Sequence, residues 1–132
     1  MKPIPVNVPK LDGNEVKYLK EAIESGWISS EGPFVNKFEQ QCAERHGRKY
    51  AIAVSSGTAA LKCSIDALDL SAKDEVIIPS FTIISCVTAV LESGATPIPV
   101  DCDPKTFNSS PEQIISAITP RTKASNAEQR RA

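Results

Sequence analysis

The sequence predicts an α/β fold with a mostly parallel sheet and flanking helices. Three observations carry this. Short apolar runs recur at 50–54 (YAIAV), 75–78 (EVII) and 96–100 (TPIPV). Each is followed by a turn and then by a stretch opened by a Ser-containing cap. Each run is too short for a helix and is bounded by Ser, Gly or Pro. Strand–turn–helix units of this kind build parallel sheets with right-handed crossovers.

The elements follow in order. Residues 1–11 read as extended, because Pro3, Pro5 and Pro9 block a helix. Asp12 with Glu15 three residues on reads as a capping box that opens the first helix. Val16, Leu19 and Ile23 share one face, and Gly26 ends the helix. Residues 27–32 (WISSEG) form a loop of small residues. Pro33 suits the first position of a second helix, which runs through Phe34, Val35, Phe38 and Cys42 to about Gly47. A strand at 50–54 and a turn at 55–58 lead to a helix over 59–68, with Leu61, Ile65 and Leu68 inward. The strand at 75–78 stops at Pro79. Ser80 then caps a helix over about 81–92, which Gly94 terminates. Pro97 and Pro99 assign the strand at 96–100 to a sheet edge. Ser110, Pro111 and Gln113 open a last helix as a capping box, and Pro120 closes it. A fourth strand is expected to begin near 121–124. Residues 125–132 (SNAEQRRA) read as a polar, aperiodic tail, so the domain is expected to be incomplete.

Composition narrows the function. The 132 residues suffice for about one small domain. With 15 basic and 16 acidic residues the net charge is −1, and aromatics make up 5%. Neither a field nor a stacking surface is available for nucleic acid, and no anionic membrane is favoured. No apolar run reaches the roughly 18 residues of a bilayer span. The first 15 residues lack the pattern of a secretory signal. Cys42, Cys63, Cys86 and Cys102 form no CxxC pair and His46 is the only histidine, so no metal site is expected. Free, mostly buried thiols in a cytoplasmic protein fit better than a disulfide framework.

Four places could carry chemistry. The first is Ser55-Ser56-Gly57-Thr58, between a strand and a helix. Backbone N–H groups at a helix N-terminus are unpaired and attract an anion, and glycine lets the anion approach. Equally, Ser56 could merely cap the helix and Gly57 serve a tight turn. The motif lacks the lysine of a P-loop and the glycine fingerprint of a dinucleotide site. The second is Pro79-Ser80-Phe81-Thr82-Ile83, at the carboxyl end of the next strand, where open parallel sheets bind ligands. The third is Trp27 with Ser29 and Ser30, either a core plug or a cover over a ligand. The fourth is Asp101 with Asp103, which in Asp-x-Asp-Pro more simply order a turn. His46 reads as a solvated cation at a helix end. No Ser/His/Asp arrangement is legible.

The runs GWISSEGPFVNKFEQQCAERHGRKYAIAVSSGTAAL, DEVIIPSFTIISCVTAVLESGATPIPVDCDPKTFN and ITPRTKA resemble the N-terminal part of the DegT/DnrJ/StrS aminotransferases. The resemblance is collinear over about 4–124 and is strongest to the perosamine-synthase-like branch. It implies fold type I, the aspartate-aminotransferase fold, with pyridoxal 5′-phosphate as cofactor. It also implies transfer of an amino group, from glutamate, to a nucleotide-linked keto-sugar. Residues 1–124 would be the N-terminal part of the large domain: an extended arm and two helices over 1–48, then strand–helix repeats over 49–124. Residues 125–132 would be unrelated to it. Carried over, Ser56, Gly57 and Thr58 would grip the cofactor phosphate. Phe81 and Ile83 would flank the pyridine ring, Ile83 standing where many relatives carry an aromatic. Trp27 and Ser29 would lie on a substrate loop near a homodimer interface. The resemblance further implies that the Schiff-base lysine and the acid that pairs with the pyridine nitrogen are absent from this chain. Lys123 matches an ordinary position. The chain alone is then expected to be inactive. The alternatives are a non-catalytic truncated product, a phosphate-binding module, or part of a dehydratase relative in which histidine replaces the lysine.

Overall fold

The computed structural model describes residues 3–5 and 7–126, which fall into two units that divide between residues 53 and 54. The first unit carries α1 (Glu15–Glu24) and α2 (Pro33–Arg45). Pro33 opens α2, where its missing N–H costs nothing. Gly47, just past the helix, takes the left-handed φ of +58° that only glycine adopts freely. Tyr18 of α1 meets Phe34 of α2 edge-on, with ring centroids 5.7 Å apart.

The start of α1 differs from expectation. Asn14, not Asp12, is the cap residue, and no side chain caps the helix. Glu15 does reach back, but its Oε2 accepts from Gly13 N–H at 2.9 Å. Asp12 pairs with Lys10 instead, at 3.1 Å. No strand forms at 50–54. A strand exists only where a neighbour completes its ladder, and this run has no backbone partner among the described residues. Ala53 N–H donates to Glu39 Oε1 at 2.7 Å, and Ile52 stays 82% exposed.

The second unit runs α3 (Gly57–Asp66), β1 (Glu75–Pro79), α4 (Ser85–Glu92), β2 (Thr96–Val100), α5 (Pro111–Ser116) and β3 (Thr122–Ser125). The three strands form a parallel sheet in the order β2-β1-β3. All five residues of β1 are buried, as expected of a central parallel strand. Val76 and Ile78 join Ile65 of α3 and Ala89 and Val90 of α4 in the core, with Leu61, Leu70, Val87 and Ala124 against them. Ile77, at the alternate position, is buried on the opposite face. Each such side chain contributes about 1.5–3 kcal/mol by leaving water.

The two flanking strands are held differently. Thr96 N–H donates to Asp74 O, and Val100 O accepts from Ser80 N–H. Residues 96, 98 and 100 therefore face β1, and Pro97 and Pro99 turn their missing donors to the free edge. On the other side the strand expected near 121–124 is present and reaches Ser125. Its register carries a bulge, because Glu75 pairs with Thr122 but Val76 with Ala124, which leaves Lys123 as the extra residue. Asn126 N–H then donates to Ile77 O at 2.8 Å. Ser125 and Asn126, read as the start of the polar tail, thus extend the sheet. The rest of that tail, 127–132, lies outside the described residues.

Two helices also differ in length. The helix expected over about 81–92 starts at Ser85, with Ile84 as cap residue. Ser80 N–H is engaged by Val100 O, so the chain continues the parallel pairing past Pro79 before it turns. Leu68, expected inward, lies beyond the end of α3 and is 48% exposed. By contrast α5 opens with both bonds of the expected capping box between Ser110 and Gln113. The four cysteines are free but, against the expectation of mostly buried thiols, only Cys86 is buried; Cys63 lies exposed and Cys42 and Cys102 are half-buried.

Two polar features brace the sheet. Glu75 is the one buried charge of the second unit among the described residues, 2% exposed. Its carboxylate accepts from the Thr119 hydroxyl and pairs with the Arg121 guanidinium. After β2, the Asp103 carboxylate accepts from Lys105 and Thr106 N–H, both at 2.8 Å. Phe107 N–H closes the same turn on Asp103 O.

Two predictions follow from these features. Arg121→Ala strands a buried carboxylate and should cost about 3 kcal/mol. Glu75→Met leaves unpaired only groups that water can reach, the exposed Arg121 guanidinium and the Thr119 hydroxyl, and should cost about 1 kcal/mol. Urea denaturation of both variants checks the order, and equal losses would contradict it. At Asp103 the N–H bonds from Thr106 and then Lys105 hold the carboxyl below its ordinary pKa. A depressed folded pKa means that this stabilisation is present above about pH 4 and lost as pH falls through the folded value. Asp103→Asn keeps the acceptor oxygen without the charge. The stability gap between wild type and variant should therefore close on acidification, and a gap independent of pH would count against the charge.

Candidate functional site

In an open parallel sheet, ligands sit outside the carboxyl ends of the strands, where neighbouring connections run to opposite sides. Here the chain leaves β1 for β2 on one side and returns to β3 on the other. The carboxyl ends of β1 and β3 therefore flank the natural crevice. A cavity of about 370 Å³ opens there, lined by Gly57, Thr58, Leu61, Ile83, Ser85, Cys86 and Asn126.

The residues reach it from three elements. The start of α3 supplies Gly57 and Thr58. The segment after β1 supplies Ile83, Ser85 and Cys86, and the end of β3 supplies Asn126. At the start of α3, Ser56 has extended backbone and its Oγ accepts from Ala59 N–H at 3.2 Å. The capping role considered for Ser56 is therefore real, and Ser56 is not among the cavity-lining residues. The N–H groups of Gly57 and Thr58 occupy the first two helical positions, which have no intrahelical acceptor. Gly57 needs no left-handed φ, and a Cβ built on it meets nothing within 4 Å. A side chain added there would point into open space. The Thr58 hydroxyl lies 2.8 Å from the Ser85 hydroxyl.

This donor set suits a phosphate monoester: two backbone N–H groups at a positive helix end and two hydroxyls, with Ile83 and Leu61 as an apolar wall. A pyridoxal phosphate therefore fits the residues present. No lysine lines the cavity among the described residues.

The other sequence candidates distribute unevenly. Ile83 lies at the cavity, whereas Phe81 packs on Phe107, ring centroids 5.1 Å apart, and does not line it. Trp27 and Ser29 belong to the first unit. There Trp27 is half exposed, and a Cβ on Gly32 would come within 3.3 Å of the Trp27 Cβ, so the 27–32 loop turns tightly on itself. Asp103 orders a turn, as its pattern suggests, and His46 follows the last turn of α2. Sequence reasoning missed Ser85 and Asn126. Ser85 was hidden because the helix was expected to begin four residues earlier. Asn126 was hidden because β3 was expected to stop short of it.

Comparison with known proteins agrees with this architecture. The profile of the DegT/DnrJ/EryC1/StrS aminotransferase family matches residues 9–125. GDP-perosamine synthase from Caulobacter vibrioides is 46% identical over 121 residues, covering 92% of this chain and 33% of the relative. The crystal structure of 3-amino-5-hydroxybenzoic acid synthase superposes with a TM-score of 0.76 at 41% identity, over 89% of this chain and 31% of that one. The NtdA protein of Bacillus subtilis, solved with the cofactor PMP bound, gives 0.71 at 39% identity, over 83% of this chain and 25% of that one. The chain spans about a third of the length of the curated relative. The chain belongs to the DegT/DnrJ/EryC1/StrS aminotransferase family, whose members depend on pyridoxal phosphate.

Proposed function

We propose that this chain carries the phosphate-holding part of a pyridoxal-phosphate site in an enzyme that moves an amino group, from glutamate, onto a nucleotide-linked keto-sugar. The similarity to GDP-perosamine synthase supports a GDP-linked sugar as the acceptor. The observation that carries the reading is the open backbone of Gly57 and Thr58 at the carboxyl edge of β1 and β3.

Each residue has a task. Gly57 and Thr58 N–H donate to phosphate oxygens. Ser56 holds the first turn of α3 in place through Ala59 N–H, so that these donors stay aimed outward. Ile83 gives the aromatic ring an apolar wall and shields it from water. Phe81, seated on Phe107, fixes the segment that presents Ile83. Trp27 and Ser29 act in the first unit, as the loop that admits the substrate. When bound, pyridoxal phosphate supplies an electron sink that lets an amino group leave the donor and join a carbonyl carbon. As the family resemblance implies, the attaching lysine is not one of these 132 residues, and the chain by itself binds the phosphate without turning over. The working enzyme is a homodimer in the cytoplasm.

The test is a calorimetric titration of the chain with pyridoxal 5′-phosphate, alongside Gly57→Ala. The added methyl meets no protein atom, so the variant should fold as wild type does. It occupies the approach to two donors, and affinity should fall by about tenfold or more. A variant that binds as wild type does would overturn the reading. Transamination assays with glutamate should show no turnover by either protein.

A further inference from the structure

Ser85 stands apart from the other hydroxyl residues of these helices. Ser64, Thr88, Ser93 and Ser116 turn their hydroxyls back onto backbone carbonyls three or four residues earlier. Ser85, the first residue of α4, instead faces across to Thr58 on α3, with 2.8 Å between the two oxygens. Both residues line the cavity. Two hydroxyls joined to each other use one of their two protons, and the second has no acceptor within the pair. It is therefore available to an anion in the cavity.

We infer that Ser85 is a further phosphate-binding residue, giving its hydroxyl proton to a phosphate oxygen while its own oxygen accepts from Thr58. The inference rests on the phosphate reading above and adds a ligand from a second helix. A phosphate monoester has three terminal oxygens, more than the Gly57 and Thr58 N–H groups alone can engage. The Thr58–Ser85 bond also polarises the donating hydroxyl, because linked hydrogen bonds strengthen one another. The same contact makes the hydroxyl pair a sensor of the site, since losing either member leaves the other without its partner.

A purely structural role would be to tie α3 to α4. A second tie between these helices provides the control: Lys62 Nζ lies 2.7 Å from Glu92 Oε2, and neither residue lines the cavity. Binding of inorganic phosphate, pyridoxal 5′-phosphate and phosphate-free pyridoxal is measured for the 132-residue chain and for Ser85→Ala, Ser85→Thr and Lys62→Ala. Ser85→Ala should weaken both phosphate-bearing probes by about tenfold and leave pyridoxal unchanged. Ser85→Thr should restore the loss, and Lys62→Ala should bind as wild type does. If Ser85→Ala binds phosphate normally, the inference fails while the phosphate site stands. If Lys62→Ala weakens phosphate binding as much as Ser85→Ala, Ser85 is only a tie between helices and the inference fails. If the unaltered chain binds neither phosphate-bearing probe, the phosphate reading falls and takes the inference with it.

Discussion

The second unit depends on one strand. Every residue of β1 is buried, so its backbone N–H and C=O groups must be matched on both sides by protein. Parallel pairing with β2 and β3 supplies those partners. Burial of Val76, Ile77 and Ile78 supplies much of the apolar gain that offsets the ordering of the chain. The loops that follow the strand are then held at its carboxyl end, which is where the cavity opens. Site and core are consequences of the same constraint.

Glu75 shows how the position of β3 is fixed. A carboxylate at 2% exposure would be intolerable without partners, and both of its side-chain partners come from the segment that leads into β3. Thr119 and Arg121 thereby anchor that segment against the amino end of β1. The bulge at Lys123 then resets the alternation of side chains along β3. With one residue fewer between Thr122 and Asn126, every later side chain would face the other side of the sheet. A polar contact at one end of the sheet thus decides which residue reaches the cavity at the other.

What could be read from the sequence divides along a physical line. Features decided by a few neighbouring residues were legible: Pro33 at the start of α2, the Ser110–Gln113 box of α5, and the edge placement of Pro97 and Pro99. Features decided by a distant partner were not. The YAIAV run has the composition of a strand but finds no ladder, whereas TKAS, polar and short, becomes one because Glu75 and Val76 pair with it. The start of α4 moved because Ser80 N–H is taken by Val100 O, twenty residues away in sequence. For the site, the strand–turn–helix pattern pointed to Gly57 and Thr58 and to the 79–83 segment that carries Ile83, and the family resemblance added its role beside the ring. Phe81 turned to Phe107, a contact that depends on the left-handed Phe107 backbone at φ +57°. No local pattern announces that contact.

The central claim is that the amide donors at the start of α3 and the hydroxyl of Ser85 meet one phosphate at the carboxyl edge of the sheet. The most direct measurement is the set of backbone amide chemical shifts of the isotope-labelled chain during titration with pyridoxal 5′-phosphate. The account predicts the largest changes at Gly57, Thr58 and Ser85, with the amino end of the sheet around Glu75 and Arg121 unmoved. Changes centred on another surface, such as the groove between α1 and α2 beside Tyr18 and Phe34, or no change at any concentration, would contradict it.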